Sequence, residues 1–267
     1  MEARSASARK ERGAFYTPKR ITSFIVEWGV RDKQDKLLDP GAGEGIFLTE
    51  GYKRLKELGS GSNDPSNQIF GIELDTNSAR DATEALQKLG GTRVRVINGN
   101  FFDIKPSTTL ESESGTVPLV DTIVGNPPYI RYHSFKGEAR SKGLAAAKAA
   151  GVELTSLTSS WAPFIVHATR FLTSKGRLGM VVPAELLSVD YAAPIRQMLL
   201  EQFKDITIIS FEKRVFPEVL EDTAILLADK NGVRKGLSVL RLVDLEQLNH
   251  LDPESLASNA TPKTIVP

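Results

Sequence analysis

This 267-residue sequence predicts an α/β protein on a doubly wound, seven-stranded, mainly parallel sheet with an antiparallel last strand pair. Three observations carry that prediction. Short apolar runs rich in β-branched residues alternate with amphipathic segments at helical spacing, joined by short connections, which is the pattern of a parallel sheet covered by helices. A glycine-rich turn, "DPGAGEG", follows the first apolar run and opens the next helix. The last two strand-like runs, "ITIISFE" and "TAILLADK", are separated only by "KRVFPEVLED", too little chain for a crossover helix, so they pair antiparallel.

Taken in order, residues 1–12 are polar and basic and read as a flexible arm ahead of a catalytic domain spanning 13–245. After Thr17-Pro18, an N-cap residue with proline at the first helical position, Ile21, Phe24, Ile25 and Trp28 recur at helical spacing. "KLLD" is a short buried strand, and "IFLTEGYKRLKELG" the helix beyond the glycine turn. "QIFGIELD" and "TNSARDATEALQKLGG" form the next strand and helix, and "TRVRVINGNFFDI" the third strand. A loop, "KPSTTLESESGTVP", leads to the strand "VDTIVG". A polar, alanine-rich segment follows from Arg131 to Ser160, then an amphipathic helix "WAPFIVHATRFLTSKG", a strand "RLGMVVP", and a helix "APIRQMLLEQF". Residues 246–267 read as a linker or the start of a missing recognition domain, and "LSVLRLV" just before them as one further plausible strand.

Composition excludes several function classes. A net charge of +1 with 25% charged residues gives no global bias toward polyanions, so any nucleic-acid surface must be local. The absence of cysteine removes disulfides, thiolate metal sites and a cysteine nucleophile, and suits a reducing compartment. The three histidines, His133, His167 and His250, lack ligand spacing, so no metal is expected. No apolar run is long enough to span a bilayer, and the N-terminus lacks the apolar core of a secretory signal, so a cytoplasmic protein without membrane contact is expected.

Polar residues gather where strands end, which is where open α/β sheets bind ligands. Asp39, Pro40, Gly41, Ala42 and Gly43 form a turn that lets a ligand approach the backbone, but it matches neither GxGxxG nor a phosphate loop. An acid placed before the glycines repels a pyrophosphate and attracts a cation such as the amino group of a methionine-like ligand; a mere packing turn is the alternative. Glu73 closes the second strand, where a carboxylate can accept both hydroxyls of a ribose, and Asp75 is near enough to share that role. Asn100 and Phe101 offer an amide and an aromatic ring after the third strand, suited to an adenine edge and face. Together they describe a bound adenosine carrying an amino-acid tail. After the fourth strand, "NPPY" joins an amide, two prolines that fix φ and remove two N–H groups, and an aromatic ring, making a stiff elbow that holds its carbonyls still.

With these motifs in this order, the chain resembles the adenine-N6 DNA methyltransferases of restriction-modification systems, in the subgroup whose cofactor motifs precede NPPY. "GAFYTP" resembles the family's N-terminal cofactor segment, with Tyr16 and Thr17; "DPGAGEG" its glycine-rich loop; "GIELD" its ribose acid; "GNFFD" its adenine-contacting turn; "NPPY" its catalytic motif; and "VFPEVLEDTAI" the segment whose phenylalanine, here Phe216, touches the target base. The sequence departs from the family pattern at Asn100, where aspartate is frequent, and so offers an acceptor without a charge.

The resemblance implies the class I S-adenosylmethionine-dependent methyltransferase fold, S-adenosyl-L-methionine as cofactor and double-stranded DNA as partner. It implies that Asn126 Oδ1 and the Pro127 carbonyl accept the two hydrogens of adenine N6 and aim its lone pair at the cofactor's methyl, with Asn126 also beside the cofactor. Tyr129 stacks on the flipped base, with Phe216 on another side. Arg131, Lys136, Arg140 and Lys142 then face DNA phosphates from the segment after the elbow; a solvated charged surface is the alternative. Because family members usually carry a further domain that reads DNA, specificity is expected from a separate subunit or a missing C-terminal recognition domain. Two other readings stay open: a protein glutamine N5-methyltransferase, since such enzymes also use NPPY, and a catalytically silent module that binds DNA or a partner.

Overall fold

The computed structural model describes residues 16–59, 64–107, 115–215, 222–233, 236–253 and 256. The basic arm and Phe216 lie outside the described residues. The elements run α1 (Lys19–Gly29), β1 (Leu37–Asp39), α2 (Ile46–Glu57), β2 (Ile69–Glu73), α3 (Thr76–Lys88), β3 (Arg95–Asn98), β4 (Lys105–Ser107), β5 (Thr116–Pro118) and β6 (Val120–Gly125). They continue as α4 (Gly137–Ala149), α5 (Trp161–Ala168), β7 (Leu172–Pro183), α6 (Ala193–Gln202), β8 (Asp205–Phe211), β9 (Thr223–Asp229) and β10 (Gly236–Leu242).

The main sheet has eight strands in the order β10-β8-β9-β7-β6-β1-β2-β3. From β7 to β3 every pairing is parallel, and β9 runs antiparallel to both β7 and β8. The antiparallel pair expected from the short connection is therefore present. β1 and β9 are buried along their whole length, because helices or loops cover both faces of the central strands. The apolar stripe of α1 explains its docking: Ile21, Phe24, Ile25 and Trp28 are all buried, and the helix packs against β6 and β7. Among the described residues no helix is long and apolar enough to cross a membrane.

Four sequence expectations about the elements need correction. The sheet has eight strands, not seven, because residues 236–242 add to the edge as a strand parallel to β8. Its largely half-buried or exposed residues suit an edge position, where one side of the ladder stays open. The helix expected over 161–176 stops at Ala168; a 3-10 turn over Thr169–Phe171 follows, and β7 begins at Leu172. Leu172 pairs with Val120, so tertiary pairing with β6 overrides the helical pattern of "TRFL". Finally, the alanine-rich segment after the elbow is not all irregular: Gly137–Ala149 is α4, which packs on α5. The expected loop between β3 and β6 also holds a small parallel ladder between β4 and β5.

Candidate active site

The strand order places the polar strand ends side by side. β6, β1, β2 and β3 are consecutive and parallel, so Asp39, Glu73 and the residues just beyond β3 and β6 share one edge of the sheet. From β1 the chain winds outward through β2 and β3, then returns to place β6 on the other side of β1. Asp39 and Asn126 thus flank the point where the winding reverses, the place where open α/β sheets leave a crevice.

The glycine turn is built around carboxylates rather than for an anion. Gly41 N–H donates to Asp39 Oδ1 at 3.0 Å and Gly43 N–H to Glu73 Oε2 at 2.8 Å, while Ala42 N–H donates to the Ile72 carbonyl at 2.9 Å. The N–H groups that cradle phosphates in other glycine loops are already engaged by acceptors of the protein itself. Gly45 turns the chain into α2 with φ +86°, and an added Cβ there would lie 3.0 Å from Ala82 Cα, so both conformation and space require glycine.

Asp39 is 1% exposed, and among the described residues its Oδ2 has no hydrogen-bond partner. Burial pushes its carboxyl up to about 8; the Gly41 N–H opposes the rise and the nearby Glu73 charge adds to it. A buried carboxyl with an orphaned oxygen and no counter-charge fits a cationic group delivered by a ligand. The elbow crosses directly over it: a Cβ at Gly125 would meet Asp39 Oδ1 at 2.8 Å, so only glycine lets the end of β6 come this close.

Glu73 and Asp75, near enough in sequence to compete for one role, are separated by the structure. Glu73 uses Oε2 for Gly43 and Oε1 for Asp75 N–H at 2.8 Å, which leaves lone pairs on both oxygens for further donors. Asp75 is the N-cap of α3, its Oδ1 accepting from Ser78 N–H at 3.0 Å and from the Ser78 hydroxyl at 3.1 Å. Asn100 Oδ1 accepts from Phe102 N–H at 3.0 Å and caps the short turn after β3. Phe101, expected on an adenine face, is instead 4% exposed, packed against Phe164, His167 and Phe171 at centroid distances of 4.8, 4.6 and 5.3 Å. The ring left half-buried at this turn is that of Phe102.

At the elbow, Asn126 Nδ2 donates to Thr17 Oγ1 at 3.1 Å, and Asn126 Oδ1 is buried without a partner among the described residues. Thr17 is buried, so this bond ties the segment before α1 to the end of β6; Tyr16 beside it is exposed. Tyr129 is 8% exposed and part of the core cluster. Ser160 holds the far side of the elbow: its Oγ accepts from Ile130 N–H at 2.8 Å and donates to the Pro128 carbonyl, and its own N–H donates to the Ile130 carbonyl at 3.0 Å.

The basic residues beyond the elbow have different surroundings. Arg131 and Lys136 are exposed. Arg140 donates to the Tyr132 carbonyl, and Lys142 makes ion pairs with Asp103 at 2.7 Å and Glu138 at 2.9 Å, which raise its pKa and fasten α4 to the turn after β3. His133, read as structural, lies exposed against Tyr132, whereas Trp161 is fully buried and donates Nε1–H to Glu185 at 2.9 Å.

The profile of the N-6 DNA methylase family matches residues 1–259. The chain belongs to the N-6 DNA methylase family. Among curated relatives, it is 23% identical over 251 residues to the type II methyltransferase M.AccI of Acinetobacter calcoaceticus, covering 93% of this chain and 42% of that protein. It is 26% identical over 244 residues to M.XamI of Xanthomonas campestris pv. amaranthicola, covering 90% and 43% respectively. This N-6 DNA methylase chain therefore spans less than half the length of these curated relatives. Its fold is shared with the protein of the DrdV-DNA complex (TM-score 0.69, 17% identity, 95% of this chain and 30% of that one). It is also shared with a class I S-adenosylmethionine-dependent methyltransferase of Listeria monocytogenes (TM-score 0.64, 19% identity, 91% and 68%).

Two residues of this N-6 DNA methylase were not identified as site residues from the sequence. Ser160 ends the polar, alanine-rich segment in the sequence, and nothing in its neighbours announces contacts 30 residues away in the chain. His167 lies beneath the site, 1% exposed, with Nε2 at 3.1 Å from the Ile104 carbonyl and 3.2 Å from that of Phe101. Two carbonyl acceptors require Nε2 to carry the proton, and burial pulls the imidazole down to about 4, so the ring is a neutral latch between α5 and the turn after β3.

Proposed function

We propose that this chain transfers the methyl group of S-adenosyl-L-methionine to N6 of a flipped-out adenine in DNA, as the catalytic domain of a modification methyltransferase. The observation that carries the proposal is Asn126 Oδ1, a buried acceptor without a partner among the described residues, fixed on a proline-stiffened elbow whose preceding Gly125 comes close against Asp39. Family membership and the names of the type II relatives support it.

The cofactor, when bound, supplies an electrophilic methyl on a sulfonium cation. The chain's own residues do the rest. Asp39 offers a carboxylate to the cationic end of the cofactor, lined by Pro40, Gly41, Ala42 and Gly43 and approached by Tyr16 and Thr17. Glu73 accepts ribose hydroxyls through its remaining lone pairs, and Asn100 faces the adenine edge. On the target side, Asn126 Oδ1 and the Pro127 carbonyl accept the two N6 hydrogens, which draws the nitrogen's lone pair out of the ring and directs it. Such preorganised acceptors act by positioning and electrostatics rather than by removing a proton first. Tyr129 offers its ring to the base, with Phe216 as its expected counterpart. Arg131 and Lys136, both exposed, are the side chains offered to phosphates, whereas Lys142 is paired with two carboxylates and Arg140 with a backbone carbonyl.

We further infer that double-stranded DNA is gripped and read by a recognition domain or separate subunit acting with this domain, and that the protein works in the cytoplasm. The proposal is tested by incubating the protein with cofactor and either DNA or a glutamine-bearing protein, followed by mass spectrometry. N6-methyladenine in the DNA is expected. Methylglutamine alone would replace the substrate, and no transfer to either would leave a silent binding module.

A further inference from the structure

Ser160 makes three hydrogen bonds to the elbow, and they straddle Tyr129. Proline rings fix φ at residues 127 and 128, but they leave ψ of Pro128 and both backbone torsions of Tyr129 open. The bonds from Ser160 close that gap. Its hydroxyl carries one hydrogen, and Ile130 N–H can only donate to it, so that hydrogen is directed to the Pro128 carbonyl. Ser160 N–H then takes the Ile130 carbonyl at 3.0 Å. Of the two proline carbonyls, one is thereby engaged, while that of Pro127 accepts no hydrogen bond from the described residues. Ser160 is itself 2% exposed and heads α5, whose side chains Trp161, Phe164 and Ile165 are buried in the core, so the anchor is rigid.

We propose that Ser160 is the positioning residue of the elbow: it orients the Tyr129 ring and leaves the Pro127 carbonyl, rather than that of Pro128, as the open acceptor beside Asn126. This rests on the methyl-transfer reading above. A displacement of about 1 Å at a reacting centre costs on the order of 100-fold in rate, so loss of the hydroxyl acts on turnover more than on cofactor binding.

The test compares wild type with Ser160→Ala, Ser160→Thr and Ser159→Ala, the last removing a neighbouring hydroxyl that does not touch the elbow. Single-turnover methylation of a DNA duplex, cofactor Kd, melting temperature and hydrogen exchange at the Ile130 amide are measured for each. Ser160→Ala is expected to slow transfer by roughly 10- to 100-fold, keep cofactor Kd within about twofold, and accelerate Ile130 exchange. Ser160→Thr is expected to recover most of the rate, and Ser159→Ala to match wild type. A wild-type rate in Ser160→Ala, or a rate loss matched by equal loss of cofactor affinity, overturns the positioning role while the methyl-transfer reading stands. Wild-type protein that transfers no methyl to DNA overturns that reading and the positioning role with it, and unchanged Ile130 exchange in Ser160→Ala would remove the latch itself.

Discussion

Under the proposed function, Asp39 is expected to make cofactor binding a proton-release reaction. With its carboxyl pushed up to about 8 by burial, the free protein holds this group protonated at neutral pH. A cationic ligand needs the carboxylate, so a proton must leave as the ligand enters. The penalty is a factor of about 1 + 10^(8 − pH), roughly 100 at pH 6 and roughly 4 at pH 7.5. An α-amino group with a pKa of about 7.8 loses about a third of its own charge by pH 7.5, which trims the gain. S-adenosylmethionine should therefore bind about 15-fold more tightly at pH 7.5 than at pH 6. Isothermal titration calorimetry at pH 6.5 in phosphate and in a buffer of high ionisation enthalpy should report the release of close to one proton per cofactor. Asp39→Asn keeps the acceptor for Gly41 N–H but cannot ionise. Its affinity should be nearly flat with pH, and at pH 7.5 weaker than wild type by a charged hydrogen bond of roughly 1.5 to 3 kcal/mol less the deprotonation cost. A wild-type Kd that does not change from pH 6 to 7.5, with enthalpies independent of buffer, would refute the assignment of Asp39 to a cationic ligand group.

Asn126→Ala is expected to lower methyl transfer by about 10²- to 10³-fold while cofactor Kd stays within a few-fold, because Oδ1 is the acceptor proposed for the target nitrogen; near-normal single-turnover rates would remove the elbow from the mechanism. Glu73→Ala should weaken cofactor binding by roughly 1.5 to 3 kcal/mol. Asp75→Ala should instead cost about 1 kcal/mol of stability through loss of the α3 cap with little change in Kd; calorimetry and denaturant melts showing the reverse would exchange the two roles. For His167, the native pKa of about 4 lies below the ordinary value of 6.5, so its contribution is fully present above pH 6.5 and is lost as pH falls through 4. The loss amounts to about 3 kcal/mol, and urea melts at pH 7 and pH 4.5 compared with those of His167→Gln should show a smaller acid destabilisation in the variant.

Much of the chain was legible without coordinates because its information is local. Alternating strand and helix patterns, the proline elbow and the glycine turn each declare themselves within a dozen residues, and their order along the chain suffices to place Asp39, Glu73, Asn100 and Asn126 at successive strand ends. The antiparallel β8–β9 pair followed from connection length alone. What local patterns could not decide were contests between neighbours and pairings across the sheet. Glu73 and Asp75 are equivalent acids two positions apart in sequence, and only the contact of one with Gly43 and of the other with Ser78 separates the acid bound to the glycine turn from the helix cap. Phe101 and Phe102 are likewise interchangeable in sequence until α5 packs Phe164 and His167 closer to Phe101, at 4.8 and 4.6 Å, than to Phe102, at 6.2 and 5.9 Å. The early start of β7 depends on a partner far along the chain, Val120, whose pairing outweighs local propensity, and the run legible as one further strand finds its place in the sheet only by pairing with β8. Ser160 is the extreme case. Its single hydroxyl becomes part of the site only when α5 docks beside the end of β6, a contact that tertiary packing alone creates.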